Sequence, residues 1–237
     1  RTSHEIQKVE VWDYEDLKEM CDMDAVAAFK KRALNPEHPV LHGSAQNPDI
    51  FFQVREACNP YYDAIPDLVE KYMNMVNAKI GTDYKPFNYV GAPDAEKVII
   101  AMGSVCETID ETIDYMLAKG EKVGAIKVRL YRPFSAKHLL AVMPKSVKTI
   151  SVIDRTKEPI GEPLYLDVVA ALKGTEFESV KVLNGRYGLG SKNTTPADIF
   201  AIFANEDKAG FTVGIVDDVT NTSLPRIETA NTAPAGT

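Results

Sequence analysis

Gly185-Arg-Tyr-Gly-Leu-Gly-Ser-Lys-Asn-Thr-Thr-Pro-Ala-Asp198 sets three glycines and a Thr-Pro pair between two apolar runs. The run before it, at 180–183, has strand character; the one after it carries Ile199, Phe200, Ile202 and Phe203 at helical spacing. Glycine permits positive φ and close backbone approach, and proline after threonine opens a helix. The stretch therefore reads as strand, tight turn, helix. Outward from it, four more apolar runs at 98–102, 123–130, 149–153 and 211–215 alternate with helical patterns. In the first helix Ser104 and Glu107 have capping-box spacing. Val105, Ile109, Thr112, Ile113 and Met116 share one of its faces, and Gly120 stops it. Ser135 opens the second, with Leu139, Leu140, Val142 and Met143 inward and Pro144 beyond. The third covers 165–172 and stops at Gly174. Strands apolar throughout, each followed by a helix, specify a mainly parallel sheet covered on both faces. The expectation is a three-layer α/β domain with a five-stranded sheet over 94–218.

Residues 1–93 lack this alternation. Residues 14–34 read as one or two short helices, with Leu17, Met20, Val26, Phe29 and Ala33 on roughly one face. Pro36 and Pro39 break that pattern, and 39–43 reads as extended chain. Asn47-Pro-Asp predicts a helix through about 57, and Asn59-Pro60 starts another turn. Leu68, Val69, Tyr72, Met73, Val76 and Ile80 then follow helical spacing up to Gly81. Such a region reads as a helical arm that packs on something else. Its apolar faces are expected to lie exposed, or to self-associate, when that partner is missing.

Composition narrows the function. With 237 residues, 45% hydrophobic and 26% charged, the chain has the balance of a globular protein able to bury a core without disulfides or metal. A net charge of −7 argues against nucleic acid, whose phosphates call for clustered Lys and Arg. No run approaches the ~18 apolar residues of a membrane span, and the amino end lacks a signal-peptide pattern. Cys21, Cys58 and Cys106 are scattered, with no C-x-x-C, so they suggest neither cluster ligands nor a disulfide framework. Reduced thiols in a cytoplasmic protein are the expectation. There is no initiator Met, and 229–237 has linker composition, so both ends read as cuts within a longer polypeptide.

The chemical constellations are sparse. Gly185, Gly188 and Gly190 do not follow G-x-G-x-x-G, and no Walker A pattern is present. That loop is either a tight strand-to-helix connection touching a neighbouring domain or a cradle for a phosphate. Arg129, Arg132, Arg155, Lys157 and Arg186 lie after strand runs, at what would be the functional edge of an open sheet. They form either a basic rim for an anionic cofactor tail or acidic surface, or salt-bridged charge, beginning with Asp154 beside Arg155. His4, His38, His42 and His138 lack metal-ligand spacing, and no G-x-S-x-G is present.

A resemblance to the pyruvate:ferredoxin (flavodoxin) oxidoreductase family spans nearly the whole chain. Arg1-Thr-Ser-His-Glu-Ile-Gln-Lys8 resembles the end of the family's first domain, which binds the pyrimidine side of thiamine diphosphate. His42-Gly-Ser-Ala-Gln-Asn-Pro-Asp49 resembles the connecting segment after it. Met102-Gly-Ser-Val-Cys-Glu-Thr-Ile109, Val128-Arg-Leu-Tyr-Arg-Pro-Phe134 and Gly161-Glu-Pro-Leu-Tyr-Leu-Asp167 resemble successive parts of the second domain. So does the glycine loop, and Phe211-Thr-Val-Gly-Ile-Val-Asp-Asp-Val-Thr220 resembles that domain's end. Thr232-Ala-Pro-Ala-Gly-Thr237 resembles the junction before a coenzyme A-binding domain. One departure is that Pro159 runs directly into Ile160-Gly161, where the family carries a longer glycine-containing loop.

The resemblance implies a doubly wound sheet like that of the transketolase C-terminal domain, with one antiparallel edge strand. It implies four segments: 1–10 as the end of the pyrimidine-binding domain, 11–93 as a helical linker arm, 94–218 as the transketolase-like domain, and 219–237 as a linker to the next. In the family, pyruvate and coenzyme A become acetyl-CoA and CO₂ while ferredoxin or flavodoxin is reduced. That chemistry uses thiamine diphosphate, Mg²⁺ and [4Fe–4S] clusters, held in regions outside this chain. The implied role is a non-catalytic structural domain of a homodimeric enzyme, packed against other domains of the same polypeptide. No catalytic residue or metal ligand is assigned. Arg1, Thr2, Ser3, His4 and Glu5 are the candidate active-site wall or domain contact; Arg132, Arg155, Gly185, Arg186, Gly188 and Gly190 are candidate loop contacts. The alternatives are a related 2-oxoacid:ferredoxin oxidoreductase, or a free-standing module binding a CoA-like or nucleotide anion.

Overall fold

The computed structural model describes residues 9, 11–41, 43 and 45–228, so Arg1, Thr2, Ser3, His4 and Glu5 lie outside the described residues. The chain divides into two units, Arg1–Asp83 and Tyr84–Thr237.

The second unit holds the sheet. Its strands are β1 (Phe87–Gly91), β2 (Lys97–Ala101), β3 (Val123–Val128), β4 (Thr149–Asp154), β5 (Lys181–Arg186) and β6 (Phe211–Thr212). They lie in the order β1-β3-β2-β4-β5-β6. β2 to β6 run parallel, and β1 pairs antiparallel with β3, with Phe87 opposite Val128 and Gly91 opposite Gly124. From β2 the chain winds outward to β3, returns past β2 to β4, and continues to β5 and β6. That reversal makes the sheet doubly wound. Helices α5 (Val105–Leu117) and α8 (Pro196–Ala204) pack together on one face. Helices α6 (Ala136–Val142) and α7 (Pro163–Leu172) pack together on the other.

Strand periodicity sorts the core. Alternate residues point to opposite faces, so Ile99, Val123, Ala125 and Leu183 meet α5 and α8. Val98, Ile100, Ile126, Ile150 and Val152 meet Leu139, Leu164 and Val168 on the other side. Both faces are therefore apolar, which is why β2, β3 and β4 read as continuous hydrophobic runs.

Several expectations need correction. The sheet has six strands rather than five; the added one is β1, the antiparallel edge strand, in a stretch assigned to the helical arm. Phe87-Asn-Tyr-Val-Gly91 is short and half polar, and its strand state depends on pairing with β3. The last strand is only Phe211–Thr212; Val213 N–H donates to the Arg186 carbonyl of β5, while Thr212 N–H donates to the Thr222 carbonyl on its other side. Ser104 makes no side-chain cap; its own backbone is helical, which removes the extended geometry a capping box requires.

In the first unit, α1 (Tyr14–Met20) and α2 (Met23–Lys31) are capped by Asp13 and Asp22, whose carboxylates accept from Asp16 N–H and Ala25 N–H. The helix predicted from Asn47 begins later, as α3 (Phe51–Glu56), because Asn47 forms a turn through Ile50 N–H first. The final helix, α4 (Asn59–Ile80), starts at the Asn-Pro signal and continues through Pro66 to a left-handed Gly81 at φ 71°. Pro66 is the one buried residue among those described in this unit. Phe29 and Phe52 are each 70% exposed, as expected of apolar helix faces without a partner.

Candidate functional site

In open parallel sheets, ligands sit beyond the carboxyl ends of the strands, where the winding reverses. Here that point lies between β2 and β4, flanked by 102–104 after β2 and 155–162 after β4. Most of the candidate residues stand at this edge. What surrounds them decides their role.

Arg186, at the end of β5, is aimed inward. Its Nη1 donates to Glu162 Oε1 at 3.0 Å and its Nη2 to the Gly210 carbonyl at 2.8 Å. Asn184 Nδ2 donates to Glu162 Oε2 at 3.0 Å, while Asn184 Oδ1 accepts from Gly210 N–H at 2.8 Å. Glu162 is completely buried. Burial alone would raise its carboxyl, but the bonds from Asn184 and Arg186 outweigh that and hold it below the ordinary range. The cluster is a closed network fixing α7 and the loop before β6 to β5.

Asp154 ends β4 and is 3% exposed. It does not pair with Arg155, contrary to the sequence reading. Its carboxylate turns to the first turn of α7, where Tyr165 N–H donates at 3.4 Å. Burial pushes its carboxyl up to about 6 against that bond, with the charge of Glu162 adding to the rise. Arg155 instead bridges loops: Nε donates to the Gly188 carbonyl at 2.8 Å and Nη2 to Ser191 Oγ at 3.2 Å.

The three glycines separate by role. A Cβ on Gly185 would lie 2.2 Å from the Phe211 ring, so that position serves packing of β5 against β6. Gly188 and Gly190 have φ of 64° and 62°, the left-handed turns that let the chain leave β5. Ser191 shares that region at φ 62°.

The remaining rim arginines are engaged as well, while Lys157 is exposed. Arg132 pairs with Asp167 at 2.7 Å and lies 3.9 Å from the centroid of the Tyr131 ring. Arg129 Nε donates to Asn88 Oδ1 at 2.8 Å. Tyr187 and Cys106 are buried groups whose protons burial holds tightly, at about 12 and about 11, so neither is a ready nucleophile. Ser135 Oγ lies 2.7 Å from His138 Nδ1, a contact the sequence reading missed. It is local: Ser135 is the N-cap of α6 and also accepts from His138 N–H.

The described arginines and glycines thus offer no open cradle for a diphosphate, and they do not fit thiamine diphosphate. The residues sequence reasoning overlooked are Glu162 and Asn184. Their signal was a polar side chain inside an apolar strand and a glutamate directly before a Pro-opened helix. An open recess of ≈340 Å³ lined by Lys97, Lys122, Phe200 and Phe203 lies at the opposite end of the sheet, by the starts of β2 and β3. No helix among the described residues is long and apolar enough to cross a membrane.

Comparisons with known proteins cover both units. Residues 95–199 match the family described as pyruvate:ferredoxin oxidoreductase core domain II. Residues 1–74 match the family described as pyruvate flavodoxin/ferredoxin oxidoreductase, thiamine diphosphate-binding. The chain is 58% identical to a pyruvate-flavodoxin oxidoreductase of Enterobacter agglomerans, over 95% of this chain and 20% of that protein. It is 56% identical to a pyruvate:ferredoxin oxidoreductase of Moorella thermoacetica, over 100% of this chain and 21% of that protein. A mitochondrial pyruvate dehydrogenase [NADP(+)] of Euglena gracilis is 46% identical over 100% of this chain and 14% of that protein. Among solved structures, a 2-oxoglutarate:ferredoxin oxidoreductase from Magnetococcus marinus aligns over 54% of this chain and 21% of that chain, at 20% identity and a TM-score of 0.37, too low to bear on the argument. The chain spans about a fifth of the length of the first two relatives.

Proposed function

Because this chain belongs to the pyruvate:ferredoxin (flavodoxin) oxidoreductase family, we propose that it is a non-catalytic, interface-forming part of such an enzyme. The complete enzyme would decarboxylate pyruvate oxidatively with coenzyme A, giving acetyl-CoA and CO₂ and passing electrons to ferredoxin or flavodoxin. It would act in the cytoplasm as a homodimer. Thiamine diphosphate, Mg²⁺, [4Fe–4S] clusters and coenzyme A would be held by other regions, and no step of the reaction is assigned to residues described here. The observation that carries the reading is 58% identity across 95% of this chain to a protein about five times its length. The carboxyl edge of the sheet agrees, because its arginines are occupied by internal partners. For the same reason a free-standing anion-binding module has less support. The 46% identity to a relative named for NADP(+) favours electron-acceptor choice outside this segment.

Segments 1–10, 11–93, 94–218 and 219–237 are proposed as the end of the pyrimidine-binding domain, a linker arm, the second domain and a linker. Arg1-Thr-Ser-His-Glu5 is proposed as a wall near the active site, supported by the thiamine-binding family match that begins at residue 1. Arg132, Arg155, Gly185, Arg186, Gly188 and Gly190 are proposed to shape the domain rather than to touch ligand. The test compares the 237-residue chain with the complete polypeptide in pyruvate- and coenzyme A-dependent reduction of a viologen dye. Activity is expected in the complete protein alone; turnover by the 237-residue chain would overturn the reading. His4→Ala in the complete protein is expected to raise the pyruvate KM or lower kcat, and no change in either removes the wall assignment.

A further inference from the structure

Pro163-Leu-Tyr-Leu-Asp-Val-Val-Ala-Ala-Leu172, the whole of α7, has one charged side chain, Asp167, and Arg132 neutralises it. The inner face is buried through Leu164 and Val168, yet the outer face is also apolar, with Leu166 45% and Val169 40% exposed. A surface helix normally turns a polar stripe to water, and one that is hydrophobic all round belongs in an interior. Beside α7 an open recess of ≈270 Å³ is lined by Tyr165, Val169, Val180 and Val182, with Lys173 and Glu178 also at its wall. Its position follows from the topology. α6 and α7 cover the sheet on this face, and β6 pairs only with Gly185 and Arg186, so the amino-terminal half of β5 has no strand beyond it.

We propose that this recess is the seat of an apolar segment from the part of the polypeptide beyond these 237 residues. The inference rests on the reading that the chain is part of a longer enzyme. Three features select that occupant. About four fifths of the length of the relatives lies outside the aligned region, so covering chain is at hand. The two charges at the wall cancel, Lys173 against Glu178, and Arg132 neutralises Asp167 elsewhere on α7, so nothing there draws a charged soluble partner. A concavity is not its own complement, so a second copy meeting it face to face leaves it unfilled.

Val169→Cys, in a Cys21→Ser, Cys58→Ser background, tests this by maleimide labelling read at the peptide level. Rates are referenced to the same protein unfolded in urea, and Leu166→Cys serves as a second reporter if the first fails to fold. Labelling is expected to be about tenfold slower or more in the complete polypeptide than in the 237-residue chain. Equal labelling in both overturns the proposal. Protection in the shorter chain that disappears on dilution also overturns it, in favour of a second copy. If the coding sequence does not extend past these residues, the longer-enzyme reading falls and the docking proposal with it. If it extends and the label still reaches Val169→Cys, the docking proposal alone falls.

Discussion

Gly185 shows how one residue type carries two meanings. Within a glycine-rich loop it can be read as a ligand cradle or as a turn, because the absent side chain serves both. The space a Cβ would need is filled by the Phe211 ring, 2.2 Å away. Gly185→Ala is therefore expected to lower stability by about 1–3 kcal/mol through forced repacking. Urea unfolding of the chain measures it, and a variant as stable as the parent would show that β6 yields freely. Arg186 and Glu162 carry a related lesson. An arginine at a strand's carboxyl end suggests an anion site, but a fully buried glutamate had already taken it. Nothing in the local sequence joins residues 24 positions apart.

At the scale of elements, α7 lacks a local side-chain cap and borrows one from β4 through Asp154. Burial lifts that carboxyl from 3.8 to about 6 in the folded chain. A raised folded value means the native state binds the proton more tightly than the unfolded one. Its contribution is fully present below about pH 4 and is lost as pH rises through about 6. Asp154→Asn keeps an acceptor for the Tyr165 N–H and carries no charge. The variant is expected to gain on the parent across that window, by up to about 3 kcal/mol at neutral pH. Thermal unfolding at a series of pH values reads the difference, and a constant gap between the two proteins would refute the titration argument. Helix starts also divide by mechanism. Thr195-Pro196 behaves as written, with Asp198 accepting from Thr195 N–H at 2.9 Å. Ser104 and Glu107 have the right spacing but the wrong backbone.

For the molecule as a whole, both hydrophobic cores lie inside the second unit, and the first contributes a single buried residue among those described. Residues 84–228 alone are accordingly expected to unfold cooperatively, within about 5 °C of the intact chain by calorimetry. Loss of the cooperative transition would show that the first unit is required for folding. The sequence itself determined the five parallel strands, the helices between them and the layered architecture. Those features rest on local periodicity and on helix and turn signals, which adjacent residues write directly. Tertiary structure alone decided that Phe87–Gly91 is the strand at the antiparallel edge, that the reversal of winding falls between β2 and β4, and that the edge arginines are occupied. Each of these depends on which distant groups meet, and spacing along a chain does not encode the partner across a fold.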